Sequence, residues 1–278
     1  MSELRLPSPA KLNLMLHITG QRSDGYHLLQ TVFQLLDVGD TVAISTNGSG
    51  VVQVNCPALP IPQEQNLAWQ AARLLQQHSG STLGASIDID KQLPTGGGVG
   101  GGSSNAATVL LGLNKLWQLD LPLPELAALG LQLGADVPVF VHGHSAWGEG
   151  IGELLEPILL PQRYYLVIAP GCSISTAEVF SHRQLTRHTT AITIAAFFKG
   201  GGRNDCESVV RQLHPEVNNA LIWLNKFSQA QLTGTGACIF AAFESELEAE
   251  VIYQQLPQEW RGFVAAGINQ SPVHGLLE

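Results

Sequence analysis

Residues 94–104 read Pro-Thr-Gly-Gly-Gly-Val-Gly-Gly-Gly-Ser-Ser, with six glycines in seven consecutive positions. The run lies between an alternating strand pattern, Ala85-Ser86-Ile87-Asp88-Ile89-Asp90, and an apolar helix pattern over 105–117. Backbone without Cβ atoms can take positive-φ turns and come close to a ligand. A helix that follows offers unpaired N–H groups and a partial positive charge at its start. Together these predict a phosphate site. Its frame is Pro94, Thr95, Gly96, Gly97, Gly98, Val99, Gly100, Gly101, Gly102, Ser103 and Ser104. A flexible linker is the alternative, but linkers rarely separate a strand from an apolar helix.

The flanking patterns predict the elements around this loop. Leu12, Leu14, Leu16 and Ile18 alternate with Lys11, Asn13, Met15 and His17, which predicts a strand with one buried face. Residues 41–45 and 51–55 flank Asn47-Gly48-Ser49-Gly50 and read as a hairpin. Asn66 is placed to cap a helix that ends before Gly80. Ser103 and Ser104 are expected to cap the next helix, Asn105–Trp117, whose Val109, Leu110, Leu113, Leu116 and Trp117 recur at helical steps. A second helix is expected near 123–133, with Gly134 as its stop. Residues 137–141 and 164–168 read as strands. A looser segment spans 171–203. Helices are expected at 205–213, 216–228 and 245–255, and strands at 237–243 and 261–266. The pattern predicts two α+β lobes, 1–155 and 156–278.

A chain that is 45% hydrophobic and 13% charged can bury a large core. It contains no apolar run long enough to span a bilayer. The N-terminal stretch lacks a basic region followed by an unbroken apolar one, so a secretion signal is not expected. The formal charge of −9 disfavours nucleic acid and anionic lipid as partners. It leaves a homodimer open. An anionic substrate then needs a local positive pocket, which draws attention to lysines near the glycine loop. Cys56, Cys172, Cys206 and Cys238 form no CxxC pair, and are expected to be reduced thiols of a cytoplasmic protein.

Known phosphate loops can be tested in turn. A Walker A loop needs a lysine after its last glycine, and none is present here. Gly96-x-Gly98-x-x-Gly101 matches the dinucleotide spacing, and Asp120 follows at a suitable distance. However, a second helix follows the first where a Rossmann unit needs a parallel strand. Protein-kinase HRD and DFG segments are absent. Gly143-His144-Ser145-Ala146-Trp147 approaches a hydrolase elbow, but Trp147 stands where that turn needs glycine. His142 and His144 lack companions at metal-ligand spacing, so no protein-held metal is expected.

The segment from Pro94 to Asn105 resembles the second motif of the GHMP kinases. Pro9-Ala10-Lys11-Leu12-Asn13-Leu14 resembles the first motif of one branch, and Leu232-Thr233-Gly234-Thr235-Gly236-Ala237-Cys238 its third. Arg22-Ser23-Asp24-Gly25-Tyr26-His27 and Leu133-Gly134-Ala135-Asp136-Val137-Pro138 fit the same branch. Thr95 and Val99 depart mildly from the usual residues, and 171–203 matches weakly.

The resemblance implies a ribosomal-protein-S5-like N-terminal lobe and a ferredoxin-like C-terminal lobe. It implies ATP with Mg²⁺ as the phosphoryl donor. The implied acceptor is a methylerythritol linked through a diphosphate to cytidine. Asp136 becomes the base that takes the acceptor's proton, and Lys11 its partner. By residue pattern alone, Asp136 reads equally as a turn carboxylate and Lys11 as a solvated edge charge. Asn66, Leu67 and Lys91 are implied on the ATP side, with helix cap, core leucine and strand-end charge as their plainer readings. A cytosine needs hydrogen-bond partners and ring faces. Tyr26, His27, Phe33 and Phe180 are candidates, and Asn13 could hold the polyol. Phe33 reads as well as core packing. The turn 233–236 is expected to border the site from the second lobe.

Overall fold

The computed structural model describes residues 3–277. Its spine is an antiparallel ladder between β1 (Glu3–Gln21) and β2 (His27–Asn47), with register irregularities near Ala10, Leu14 and Thr19. The alternation in 10–18 predicts one buried face, yet Lys11, Asn13, Met15 and His17 are buried as well. The reason is that β1 runs through several cores. It supplies Leu6 to the first lobe, Ala10 and Leu12 to a core between lobes, Met15 to a small cluster with Trp147, and Leu16 and Ile18 to the second lobe.

The hairpin expected over 41–55 does not form. β4 (Gly84–Asp90) lies between its arms, antiparallel to β2, and β3 (Val52–Asn55) pairs parallel to β4. The turn signal at 47–50 is local and cannot report which strand comes back to fill the gap. The first helix, α1 (Leu67–Ser79), follows its sequence signals. Asn66 Oδ1 accepts the Ala68 N–H at 2.9 Å, and Gly80 ends the helix at φ 67°.

α2 (Gly101–Leu116) is the centre of the first lobe, packed by α1, α3 (Leu123–Leu133), α4 (Val137–His142), β1 and β2. It is apolar nearly all round, as a central helix must be. Val109, Leu110, Leu111 and Leu113 are all buried, each contributing about 1.5–3 kcal/mol. The glycine loop is therefore followed by a firmly seated helix. Residues 137–141 form α4 and not the expected strand. A five-residue apolar run fits either element, and Pro138 near its start favours the helix. The short hairpin β5 (Ala146–Glu149) and β6 (Leu154–Pro157) completes this lobe against β2.

In the second lobe, β7 (Tyr164–Ala169) is followed by α5 (Thr176–Ser181), α6 (Ile194–Phe198), α7 (Glu207–Leu213) and α8 (Pro215–Leu224). Then come β8 (Ala230–Leu232), β9 (Ile239–Phe243), α9 (Glu246–Tyr253), β10 (Arg261–Ile268) and α10 (Pro272–Leu277). The sheet order is β3-β4-β2-β10-β7-β9-β8. β10 splices the lobes, pairing with β7 over 261–266 and with β2 at Gly267 and Ile268. A division at 155/156 falls inside β6, and the chain after β10 returns to the first lobe, where Val273 enters its core. The result is the two-lobed α+β fold that the patterns predict. Among the described residues, no helix is long and apolar enough to cross a membrane.

Candidate active site

The glycine loop is pinned where it leaves β4. Asp40 Oδ1 accepts the Gln92 and Leu93 N–H groups at 2.8 Å each, and Asp40 Oδ2 binds Lys91 Nζ at 2.7 Å. Both side chains are buried. Lys91 lines the cleft, but its ammonium is held by this pair and by the Leu93 carbonyl. It braces the loop from behind. Asp40 escaped the sequence reading because its partners lie about fifty positions away.

Within the loop, Gly98 requires glycine most strictly. Its φ is 76°, and a Cβ there would come within 2.4 Å of the Thr233 carbonyl oxygen. Its own carbonyl accepts from Lys11 Nζ at 3.1 Å and from Thr233 Oγ1 at 3.3 Å. Gly98 is thus where the loop, β1 and the second lobe meet. Val99 is buried between the lobes, and its carbonyl accepts the Lys11 N–H at 3.0 Å. Its side chain therefore anchors the loop and does not face a ligand. Gly98→Ala is expected to lower kcat/KM for ATP at least about tenfold, because displacing a reacting group by about 1 Å can cost about 10²-fold. Steady-state kinetics with varied ATP check this, and an unchanged value would contradict it.

The expected capping by Ser103 and Ser104 is not observed. α2 begins at Gly101, with Gly100 in the left-handed region at its N-cap and no side-chain cap. The glycine backbone itself enters the helix. Ser103 lines the cleft, while Ser104 is 1% exposed and its hydroxyl accepts from Ser8 Oγ at 2.9 Å. Of the two serines, only Ser103 offers its hydroxyl to the cleft.

Lys11 and Asp136, 125 positions apart in sequence, are brought together here. Lys11 Nζ lies 3.1 Å from Asp136 Oδ2, 2.5 Å from Asn13 Oδ1 and 3.1 Å from the Gly98 carbonyl. Its three donors are therefore matched to three acceptors. Lys11 is 2% exposed and Asp136 35%, so the cation is sealed beneath a carboxylate that reaches the cleft. Asp136 sits at the N-cap of α4 but makes no capping hydrogen bond, which leaves its second oxygen free of helix duty. Asn13 Nδ2 donates to Thr31 Oγ1 at 2.8 Å, so the side chain that accepts from Lys11 is itself held in place. It positions Lys11 and also lines the larger chamber, with a second N–H not used by these bonds. Phe33 is 1% exposed with its ring 5.6 Å from Lys11 Nζ, so it forms the floor and offers no stacking face.

Two chambers meet at this pair. One, about 490 Å³, is lined by Cys56, Leu59, Ile61, Asn66, Leu67 and the loop 94–103. The other, about 810 Å³, is lined by the β1–β2 turn, Phe180 and the turn Gly234-Thr235-Gly236. Gly96, Gly98, Ser103, Asp136 and Thr176 border both. Asn66 and Leu67 line the smaller chamber beside the glycine loop, although Asn66 Oδ1 is engaged in capping α1. The 233–236 turn reaches the larger chamber from the second lobe, held by Asn204 Nδ2 to the Leu232 and Gly234 carbonyls at 2.8 Å each.

At the far end of the larger chamber, His27 and Phe180 stack with centroids 4.9 Å apart, and Tyr26 is 60% exposed beside them. Arg187, which no local pattern singled out, ties this corner together. Its Nε donates to His27 Nε2 at 3.2 Å, and its NH2 group donates to the Phe180 carbonyl at 2.8 Å. With Nε2 as acceptor, the ring proton of His27 is assigned to Nδ1. Burial, and then the nearby Arg187 guanidinium, hold the His27 imidazole below its ordinary value of 6.5. Ser145 of the hydrolase-like segment is fully buried, accepts the Leu35 N–H and donates to the Ile268 carbonyl, so it is no nucleophile.

This arrangement can hold a polyphosphate on backbone N–H groups and set a carboxylate beside an alcohol in the adjoining chamber. Comparison with known proteins agrees. The N-terminal domain of GHMP kinases matches residues 66–144, and the GHMP kinase C-terminal domain matches 189–262. The 4-diphosphocytidyl-2-C-methyl-D-erythritol kinase of Alkalilimnicola ehrlichii is 54% identical over 98% of this chain and 93% of its own. That of Chromohalobacter salexigens is 52% identical over 100% and 95%. A crystal structure of 4-(cytidine 5'-diphospho)-2C-methyl-D-erythritol kinase superposes with a TM-score of 0.80 at 29% identity, covering 95% of this chain and 99% of that one. The chain belongs to the GHMP kinases, in the branch of the 4-diphosphocytidyl-2-C-methyl-D-erythritol kinases.

Proposed function

We propose that the protein transfers the γ-phosphoryl group of ATP to the 2-hydroxyl of 4-diphosphocytidyl-2-C-methyl-D-erythritol, giving the 2-phosphate and ADP. This is a step of non-mevalonate isoprenoid precursor synthesis, placed in the cytoplasm. The observation that carries the reading is the Lys11–Asp136 pair at the junction of the two chambers. A donor on the glycine loop and an acceptor alcohol in the larger chamber face each other only there.

Asp136 takes the proton of the 2-hydroxyl as its oxygen attacks the γ-phosphorus. The bond from that phosphorus to the bridging oxygen breaks, and ADP leaves with the electron pair. Lys11 holds Asp136 in place and opposes the negative charge of the transferring group. The loop N–H groups and the start of α2 hold the phosphates. The oxygen donors at the junction suit a hard cation that keeps several waters and leans on phosphate oxygens, and the Ser103 hydroxyl would hold it. Mg²⁺, when bound, neutralises charge on the triphosphate.

His27, with its proton on Nδ1, presents a donor to the acceptor edge of a cytosine, and Tyr26 and Phe180 offer ring faces. Protonation of His27 would remove the acceptor that Arg187 binds and set two cations side by side. Because the native imidazole resists protonation, the KM for the cytidylyl acceptor is expected to stay level as pH falls through the ordinary value of 6.5 and to rise only at lower pH, with kcat changing less. The linkage has the same sign for stability. The unfolded chain takes up protons that native His17, His27 and His142 resist, so acidification through that range lowers Tm. A KM that already climbs above pH 6.5, or one that stays flat at every acidic pH where the protein remains folded, would contradict the role of His27.

The reading is tested by ADP release from Mg-ATP with the cytidylyl acceptor, beside mevalonate, homoserine and galactose. Release with the cytidylyl acceptor alone supports it. Release with one of the others and not with it would overturn the acceptor while leaving the kinase.

A further inference from the structure

Cys172, His214 and Glu216 come from two separate segments, and their ligand atoms all lie within 4.8 Å of one another. Among the described residues, no other His, Cys, Asp or Glu cluster of three meets that spacing. Cys172 follows β7 in the turn after Gly171. His214 joins α7 to α8: its N–H donates to the Val210 carbonyl at 2.8 Å, and its carbonyl accepts from the Val217 and Asn218 N–H groups. Two helices therefore fix its position, and the first turn of α8 presents Glu216.

His214 Nε2 is shut off from water and has no hydrogen-bond partner. A buried ring nitrogen in that condition is costly and calls for an explanation, of which a bound ion is one. Cys172 and His214 are half-buried and Glu216 is exposed, which leaves a way in from solvent. Thiolate, imidazole and carboxylate together are the ligands of a borderline-soft divalent ion, with a fourth position left to water. Tetrahedral ligands stand about 3.5 Å apart, and rotation of the exposed Glu216 can close the remaining gap. None of the three residues takes part in the transfer chemistry.

We infer that Cys172, His214 and Glu216 form a site for Zn²⁺ or Co²⁺ that clips the turn after β7 to the α7–α8 junction. Ile174 and Thr176 of the clipped segment line the acceptor chamber, so occupancy ties that wall to the second lobe.

Co²⁺ is the probe, titrated into the metal-free full chain and followed by its thiolate charge-transfer absorption. The expected result is one Co²⁺ per chain with a thiolate band. Cys172→Ser removes the band, Glu216→Gln weakens affinity at least about tenfold, and Cys56→Ser changes neither. Glu216 is exposed, and ADP release without Co²⁺ verifies that Cys172→Ser and Glu216→Gln are folded. Uptake without a thiolate band, a band that survives Cys172→Ser, or an affinity unmoved by Glu216→Gln would each overturn the site.

Discussion

Asp136→Asn is expected to lower kcat by about 10²–10⁴-fold while ATP still binds with near-normal affinity. The amide is nearly isosteric and can keep a contact to Lys11 Nζ, now 3.1 Å from Oδ2. It cannot take a proton from an alcohol. In the proposed reading ATP rests mainly on loop backbone in the other chamber, so its site is expected to survive the change. Turnover and ATP affinity should therefore separate, which kinetics and calorimetry on the same preparation can measure. A loss of both in parallel would mean that Asp136 shapes the loop and does not act on the acceptor.

Lys11→Met should cost both rate and stability. The ammonium is sealed among Asn13 Oδ1, the Gly98 carbonyl and Asp136, and its removal leaves buried acceptors unpaired. That cost is about 2–4 kcal/mol, with Asp136 contributing less because it reaches solvent. At about 2–4 °C per kcal/mol for a chain of this size, Tm should drop clearly. The lost charge should slow transfer by a further about 10²–10³-fold. Thermal unfolding and kcat, measured well below the variant's Tm, separate the two effects. A variant with wild-type kcat would show that Lys11 is only a structural cation.

These two residues also mark how far the sequence could be read. The glycine loop was legible because its signals are local: a strand, bare backbone and a helix in one stretch. The cap at Asn66 and the stop at Gly80 were local for the same reason. Lys11 opposite Asp136 was not. In the alternating strand, Lys11 looks like a solvated edge charge, and only the family resemblance joined it to a partner 125 positions away. The structure shows why the pattern misleads, since β1 is covered on both faces by different cores. The hairpin reading of 41–55 failed at the same level, because β4 arrives from beyond α1 to separate the strands.

Residue types were sometimes right where roles were not. Asn13 and Phe33 do border the larger chamber, but Phe33 is taken up in packing its floor, while Asn13 holds Lys11 as well as lining the wall. Lys91 stands by the loop as expected, yet its charge is spent on Asp40. Arg187 lies in the poorly patterned 171–203 segment, and its contact to His27 spans 160 positions. Nothing within a short window distinguishes it from a surface arginine.

The most direct test is single-turnover transfer from ATP labelled in its γ-phosphoryl group, with enzyme in excess over the cytidylyl acceptor, for the wild type and Asp136→Asn. The label should appear on the acceptor as a phosphomonoester, matched one for one by ADP, and the variant should be slower by at least about 10²-fold. Label released as inorganic phosphate, or transfer by the variant at the wild-type rate, would contradict phosphoryl transfer through the Lys11–Asp136 junction.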